Sequence, residues 1–144
     1  MKKIFIIATL AILSAANGYA AEGRWTEGGG QGNLEYFIDY QGTRLYIGCP
    51  TKEGSADAAS SVTAERISDG MKYKQFTVSV NGISYDGPFD ADSRVGTQNF
   101  LSLLAGLRKA DAVVKAGSKT VTFPKSNAAK VLPVYGKGFS CNLM

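Results

Sequence analysis

The chain of 144 residues includes no histidine, which removes the chemistries that depend on one. Serine and cysteine triads lose their usual general base, and zinc loses its commonest nitrogen ligand. The Ser-Lys alternative is missing as well, since no Ser has a Lys three positions later. Gly138-Phe139-Ser140-Cys141-Asn142 lacks the second glycine of a nucleophile elbow. The glycines at 28, 29, 30 and 32 are followed by neither Lys-Ser nor Lys-Thr and precede a strand pattern, unlike a phosphate loop.

Three acids cluster locally, Asp86, Asp90 and Asp92. Asp90 and Asp92 fit the first two positions of a calcium loop, but Arg94 and Leu101 then stand where ligands are required. The three read instead as a solvated turn whose charge favours the N-terminus of the next helix. Glu35 and Asp39 share one face of a strand, and paired carboxylates are the minimum for glycoside hydrolysis without histidine. Four strand residues separate their Cα atoms by roughly 13 Å, too far for that pair on a straight strand.

Tyr36, Tyr40, Tyr46, Tyr73 and Tyr85 all fall in strand-like segments. Tyrosine gives large contact area at low side-chain entropy cost, so these five are the candidate binding residues, although tyrosine is also an ordinary strand former.

Cys49 and Cys141 are the only cysteines. The opening of the chain fixes how they are read. Lys2 and Lys3, an apolar run from Ile4 to Leu13 and small residues ending at Gly18-Tyr19-Ala20 have the form of a cleaved export signal over residues 1–20. In an exported chain an even pair of cysteines is most simply a disulfide. Cys49 shares its strand parity with Leu45 and Ile47, and Cys141 shares its parity with Phe139 and Leu143, so both thiols point toward a core. Closing a loop of roughly 90 residues contributes about 4 to 5 kcal/mol in the chain-entropy account.

Removing the signal takes away Lys2 and Lys3 and leaves fourteen basic against twelve acidic residues, a net charge of +2. With both signs interspersed, that gives no footprint for nucleic acid. No apolar run approaches the roughly 20 residues of a membrane span.

The elements that position these residues follow from periodicity. Residues 21–33 are glycine-rich and read as a flexible lead-in, with Trp25 favoured for burial. Leu34 to Tyr40 and Arg44 to Cys49 alternate with period two around Gln41-Gly42 and read as a hairpin. Pro50 to Ser61 has no period and reads as a mobile surface loop. Ser61 to Ile67 reads as a third strand. Tyr73 to Val80 and Ile83 to Tyr85 form a second hairpin through Asn81-Gly82, a pair that suits a type I′ turn.

Thr97 then caps a helix over 98–109, with Phe100, Leu103, Leu104 and Leu107 at helical spacing. Gly106 inside it implies either a close helix-to-sheet contact or an early end. Residues 111–123 extend the helix or form two strands turning at Gly117-Ser118, with the β-branched content favouring strands. A short turn of helix from Ala128 ends before Pro133, and a final extended piece carries Phe139 and Cys141.

The expected fold is α+β: a small antiparallel sheet with one principal amphipathic helix on a face, residues 34–144 forming one domain closed by one disulfide. The expected role is an exported, periplasmic or secreted, non-enzymatic binding protein without a cofactor or metal. Its partner is another exported or envelope protein, and an inhibitor or immunity protein against an envelope-acting enzyme is the most concrete version. The alternatives are a carboxylate-based enzyme or carbohydrate-binding module acting on envelope glycans, with Asp86, Asp90 or Asp92 as acids, and an exported host-directed or assembly factor.

Overall fold

A computed structural model describes residues 21–143; the expected export signal over residues 1–20 lies outside the described residues. The elements in order are β1 (Trp25–Gly30), β2 (Asn33–Tyr40), β3 (Thr43–Pro50), α1 (Lys52–Ser55), β4 (Ser61–Arg66), β5 (Phe76–Val80), β6 (Ile83–Gly87), β7 (Phe89–Asp90), α2 (Arg94–Leu107), β8 (Ala112–Ala116), β9 (Lys119–Phe123) and α3 (Ala128–Val131). The class is α+β, with the strands divided between two antiparallel sheets: five strands in the order β1-β2-β3-β4-β7, and four in the order β6-β5-β8-β9.

Alternation decides which side of each strand is buried. Tyr36 and Ile38 on β2, Leu45, Ile47 and Cys49 on β3, and Val62 and Ala64 on β4 turn inward. They join Phe76, Val78 and Val80 on β5, Val114 on β8, and Val121 and Phe123 on β9 in one core. Turn chemistry then sets the register. Asn81 and Gly82 both have positive φ, 53° and 78°, as a type I′ turn requires. The turn brings Val80 opposite Ile83 and Val78 opposite Tyr85.

α2 fills the remaining side with Phe100, Leu103, Leu104 and Leu107, each worth roughly 1.5 to 3 kcal/mol of burial. Gly106 is explained by contact: a Cβ there would lie 3.0 Å from Val80 Cγ1. The helix begins earlier than its apolar spacing implies. Ser93, not Thr97, is the cap, its Oγ accepting from the Gly96 amide at 3.0 Å, and Thr97 lies inside the first turn. Residues 112–123 are two strands, with Gly117 at positive φ between them.

Four further expectations are corrected. The glycine-rich lead-in is strand β1, paired with β2 from Trp25↔Ile38 to Gly30↔Asn33. Buried Trp25 anchors it, and Asn127 clips it: the Trp25 amide donates to Asn127 Oδ1 at 2.8 Å and Asn127 Nδ2 donates to the Trp25 carbonyl at 3.0 Å. Backbone pairing substitutes here for the side chains that glycine lacks. The segment 50–61 is tied down rather than loose. It contains α1, capped by Thr51, and Asn142 Nδ2 donates to the carbonyls of Ala56 and Ala58 at 2.9 and 2.7 Å. β5 starts at Phe76, so Tyr73 precedes it. Residues 133–143 form no strand; turns and backbone contacts hold them, including the Asn142 amide to the Pro50 carbonyl at 2.8 Å.

Cys49 and Cys141 form the disulfide, 92 residues apart in sequence. No helix among the described residues is long and apolar enough to cross a membrane.

Candidate functional site

The outward side of β2, β3 and β4 is built by the opposite parity from the core. β2 contributes Glu35, Phe37 and Asp39; β3 contributes Arg44, Tyr46 and Gly48; β4 contributes Ser61, Thr63 and Glu65. Register sets them in three rows across the sheet: Asp39-Arg44-Glu65, Phe37-Tyr46-Thr63 and Glu35-Gly48-Ser61. The helices pack elsewhere, α2 on β5 and β7 and α3 on β1.

Arg44 is the centre of this face. Its Nε and Nη2 donate to Asp39 Oδ1 and Oδ2 at 2.6 and 2.8 Å, the forked geometry that suits a guanidinium to a carboxylate. Nη1 lies 3.6 Å from Glu65 Oε1. The guanidinium carbon also stands 4.2 Å from the centroid of the Phe37 ring, a cation–π contact. The Asp39 hydrogen bond holds the Arg44 pKa above its ordinary value, against the opposing pull of burial.

Tyr46 completes the face. Gly48, two residues along the same strand, carries no side chain, and Tyr46 Cε1 would lie 3.4 Å from a Cβ there. The ring leans over that gap, and its hydroxyl donates to Glu35 Oε2 at 2.9 Å. Burial, then the Glu35 hydrogen bond, pushes the Tyr46 phenol up to about 12, so it stays protonated throughout the neutral range.

Every charged group on the face thereby has a partner on it, Arg44 with Asp39 and Glu65 and Glu35 with the neutral Tyr46 phenol. The carboxylate pair that glycoside hydrolysis would need is engaged, Asp39 by Arg44 and Glu35 by Tyr46.

The five candidate tyrosines do not share a surface. Tyr36 and Tyr85 are core residues at 4% exposure each, Tyr85 bonding to Ser102 Oγ at 2.5 Å. Tyr40 is half-buried against Phe123, with ring centroids 6.4 Å apart. Tyr73 is half-buried, its amide donating to the Ala64 carbonyl at 2.9 Å. Only Tyr46 stands on the outer face.

Of the acids near 90, Asp86 lies on a different sheet from Asp90, which keeps Asp92 beside it. Asp86 pairs with Thr77 on the four-stranded sheet. Asp90 pairs with Ser61 at the edge of the other sheet. Asp92 shares a hydrogen bond with the Asp90 carboxyl, which raises its pKa. Among the described residues no group of three or more His, Cys, Asp or Glu could hold a metal ion.

The model of the YfjT family matches residues 23–132. The chain belongs to the YfjT family. No curated protein and no solved structure matches it. The YfjT match takes in the whole outer face, both sheets and all three helices; Cys141 and residues 133–143 fall beyond it.

Sequence reasoning passed over Phe37, Arg44 and Glu65. The signal for them was the parity that set Glu35 and Asp39 apart from Tyr36 and Ile38. It also passed over Val134 and Tyr135, which are 59% and 67% exposed. Two large apolar residues between Pro133 and Gly136, where no periodic element can bury them, were the signal there.

Proposed function

We propose that this YfjT-family chain is an exported, non-enzymatic binding protein that meets another exported or envelope protein through the outer face of its five-stranded sheet. The observation that carries the reading is the preformed array on that face, Phe37 under Arg44, Asp39 and Glu65 beside it, and Tyr46 fixed by Glu35. Arg and Tyr are the residue types that dominate interface energetics, and side chains already held in place lose little entropy on association. The disulfide and the signal pattern at residues 1–20 support an extracytoplasmic address, and the periplasm is the compartment we assign. An inhibitor or immunity role against an envelope-acting enzyme is the specific form we favour.

The test is capture of envelope and culture-medium proteins on immobilised, oxidised residues 21–144, beside Arg44→Ala and Tyr46→Ala baits of confirmed fold. A single stoichiometric partner retained by the parent and lost by both variants supports the reading. Capture that neither substitution affects removes this face from the case, and turnover of peptidoglycan fragments by the parent protein would favour a carboxylate enzyme instead.

A further inference from the structure

A second surface lies beyond the outer face and shares no residue with it. The C-terminal half of α2 and the segment after α3 enclose a groove of about 290 Å³, with Leu101, Leu104, Arg108 and Lys109 on the helix side and Val134 and Tyr135 on the other. Three observations define what it fits.

The apolar wall is held rather than loose. Arg108 Nη1 donates to the Leu132 carbonyl at 2.6 Å, fastening the chain just before Pro133 to the helix. The Phe139 ring then packs edge-on against Tyr135, centroids 5.4 Å apart. A side chain fixed in this way keeps its apolar surface in water at a standing cost that a partner can relieve.

Among the described residues the groove carries charge without a counter-charge. Ion pairs among the described residues join Arg44 to Asp39 and Glu65, and Arg66 to Asp69. Neither Arg108 nor Lys109 is among them, and no acid lines the groove. Its complement is therefore apolar and anionic together.

Its form favours a macromolecule over a small ligand. Drug-sized ligands are enclosed over most of their surface in cavities of roughly 300 to 1,000 Å³. This groove is at the lower limit, and its Tyr135 rim projects into solvent at 67% exposure. Such a shape takes one or two side chains of an apposed protein.

We propose that this groove docks a protein segment that presents an aliphatic or aromatic anchor beside one or more carboxylates. The anchor packs between Leu101, Val134 and Tyr135, and the carboxylates meet Lys109 and the free edge of the Arg108 guanidinium.

The probe is a displayed library of random 12-residue peptides, selected on the oxidised protein, with the enriched sequences synthesised and their affinities measured. The expected result is a consensus with an apolar residue flanked by Asp or Glu. Those peptides should bind Tyr135→Ser and Lys109→Glu at least tenfold more weakly and weaken further with added salt, while binding Lys74→Glu, an exposed charge outside both surfaces, unchanged. Lys109 is exposed, so its charge reversal tests the groove without disturbing the core. A neutral or basic consensus, no consensus at all, or peptides that bind both groove variants as well as the parent would overturn the proposal. Peptides lost on Arg44→Ala but not on the groove variants would also overturn it, and would support the sheet face as the docking site.

Discussion

Arg44 stands over Phe37, its guanidinium carbon 4.2 Å from the ring centroid, while the same group grips both oxygens of Asp39. The two contacts depend on one another, since a planar cation is needed both to stack and to fork. Lysine supplies the charge but neither the plane nor the fork. Arg44→Lys should therefore lower stability by about 1 kcal/mol, summing a partly exposed ion pair and a cation–π contact. Thermal melts of the parent, Arg44→Lys and Phe37→Leu check it. If Arg44→Lys melts with the parent, the face is not organised by Arg44.

Tyr46 gives the face a signature in alkali. Its phenol is raised to about 12 from 10.0, by burial and then by the Glu35 hydrogen bond. Below pH 10 the phenol is neutral in both folded and unfolded chains, and this group adds no pH dependence. Between 10 and 12 the unfolded chain releases the proton while the folded one retains it, so stability falls as pH rises through that window. Tyr46→Phe removes that part of the decline: the stability gap between parent and variant at neutral pH should narrow or reverse by pH 11. Urea unfolding at pH 8 and pH 11, with absorbance titration of the phenols, measures this.

Much of the fold was legible where local rules act alone. Asn81-Gly82 specified its hairpin because only a narrow set of residues tolerates positive φ at both positions. The disulfide followed from a count of two and from the parity of Cys49. What was not legible depends on tertiary partners. Gly28, Gly29 and Gly30 carry no pattern, and their strand exists because β2 offers a ladder and Asn127 holds Trp25. Ser93 and Thr97 are chemically equivalent caps, and the apolar spacing starts only at Phe100, so the extra turn at Arg94 had no sequence marker. On β2, alternation already set Tyr36 beside Leu34 and Ile38, and reading tyrosine as a contact residue set that evidence aside. The outer face escaped notice because its stacking and forked contacts join residues on three strands, and register between strands is not visible along one.

Gly106 and Val80 provide a test of packing. Replacing a helix glycine by alanine gains up to about 1 kcal/mol, and Gly106 lies in the last turn of α2. Here the new methyl would lie 3.0 Å from Val80 Cγ1, and Val80 is a stiff, buried residue on a strand paired on both sides. Overpacking of this kind costs about 1 to 3 kcal/mol, so Gly106→Ala should be net destabilising by about 1 kcal/mol. In a Val80→Ala background the space opens and Gly106→Ala should become stabilising. The double-mutant cycle reads the coupling directly; additive effects would mean the helix and strand do not touch in this way.

Asn142 and Cys141 together hold the C-terminal segment, and they do so by different means. The disulfide closes a 92-residue separation, and its loss in Cys141→Ser should cost about 4 kcal/mol, an effect exerted largely on the unfolded chain. Asn142 is 5% exposed and acts in the native state, its amide satisfying the carbonyls of Ala56 and Ala58. Asn142→Ala leaves both acceptors without that donor and should cost about 1 to 3 kcal/mol. The two changes are separable by hydrogen exchange. Asn142→Ala should speed exchange locally at residues 52–60 with the remaining strands little changed, whereas Cys141→Ser should lower protection in both sheets. Equal and global loss of protection in the two variants would show that Asn142 acts only by supporting the disulfide.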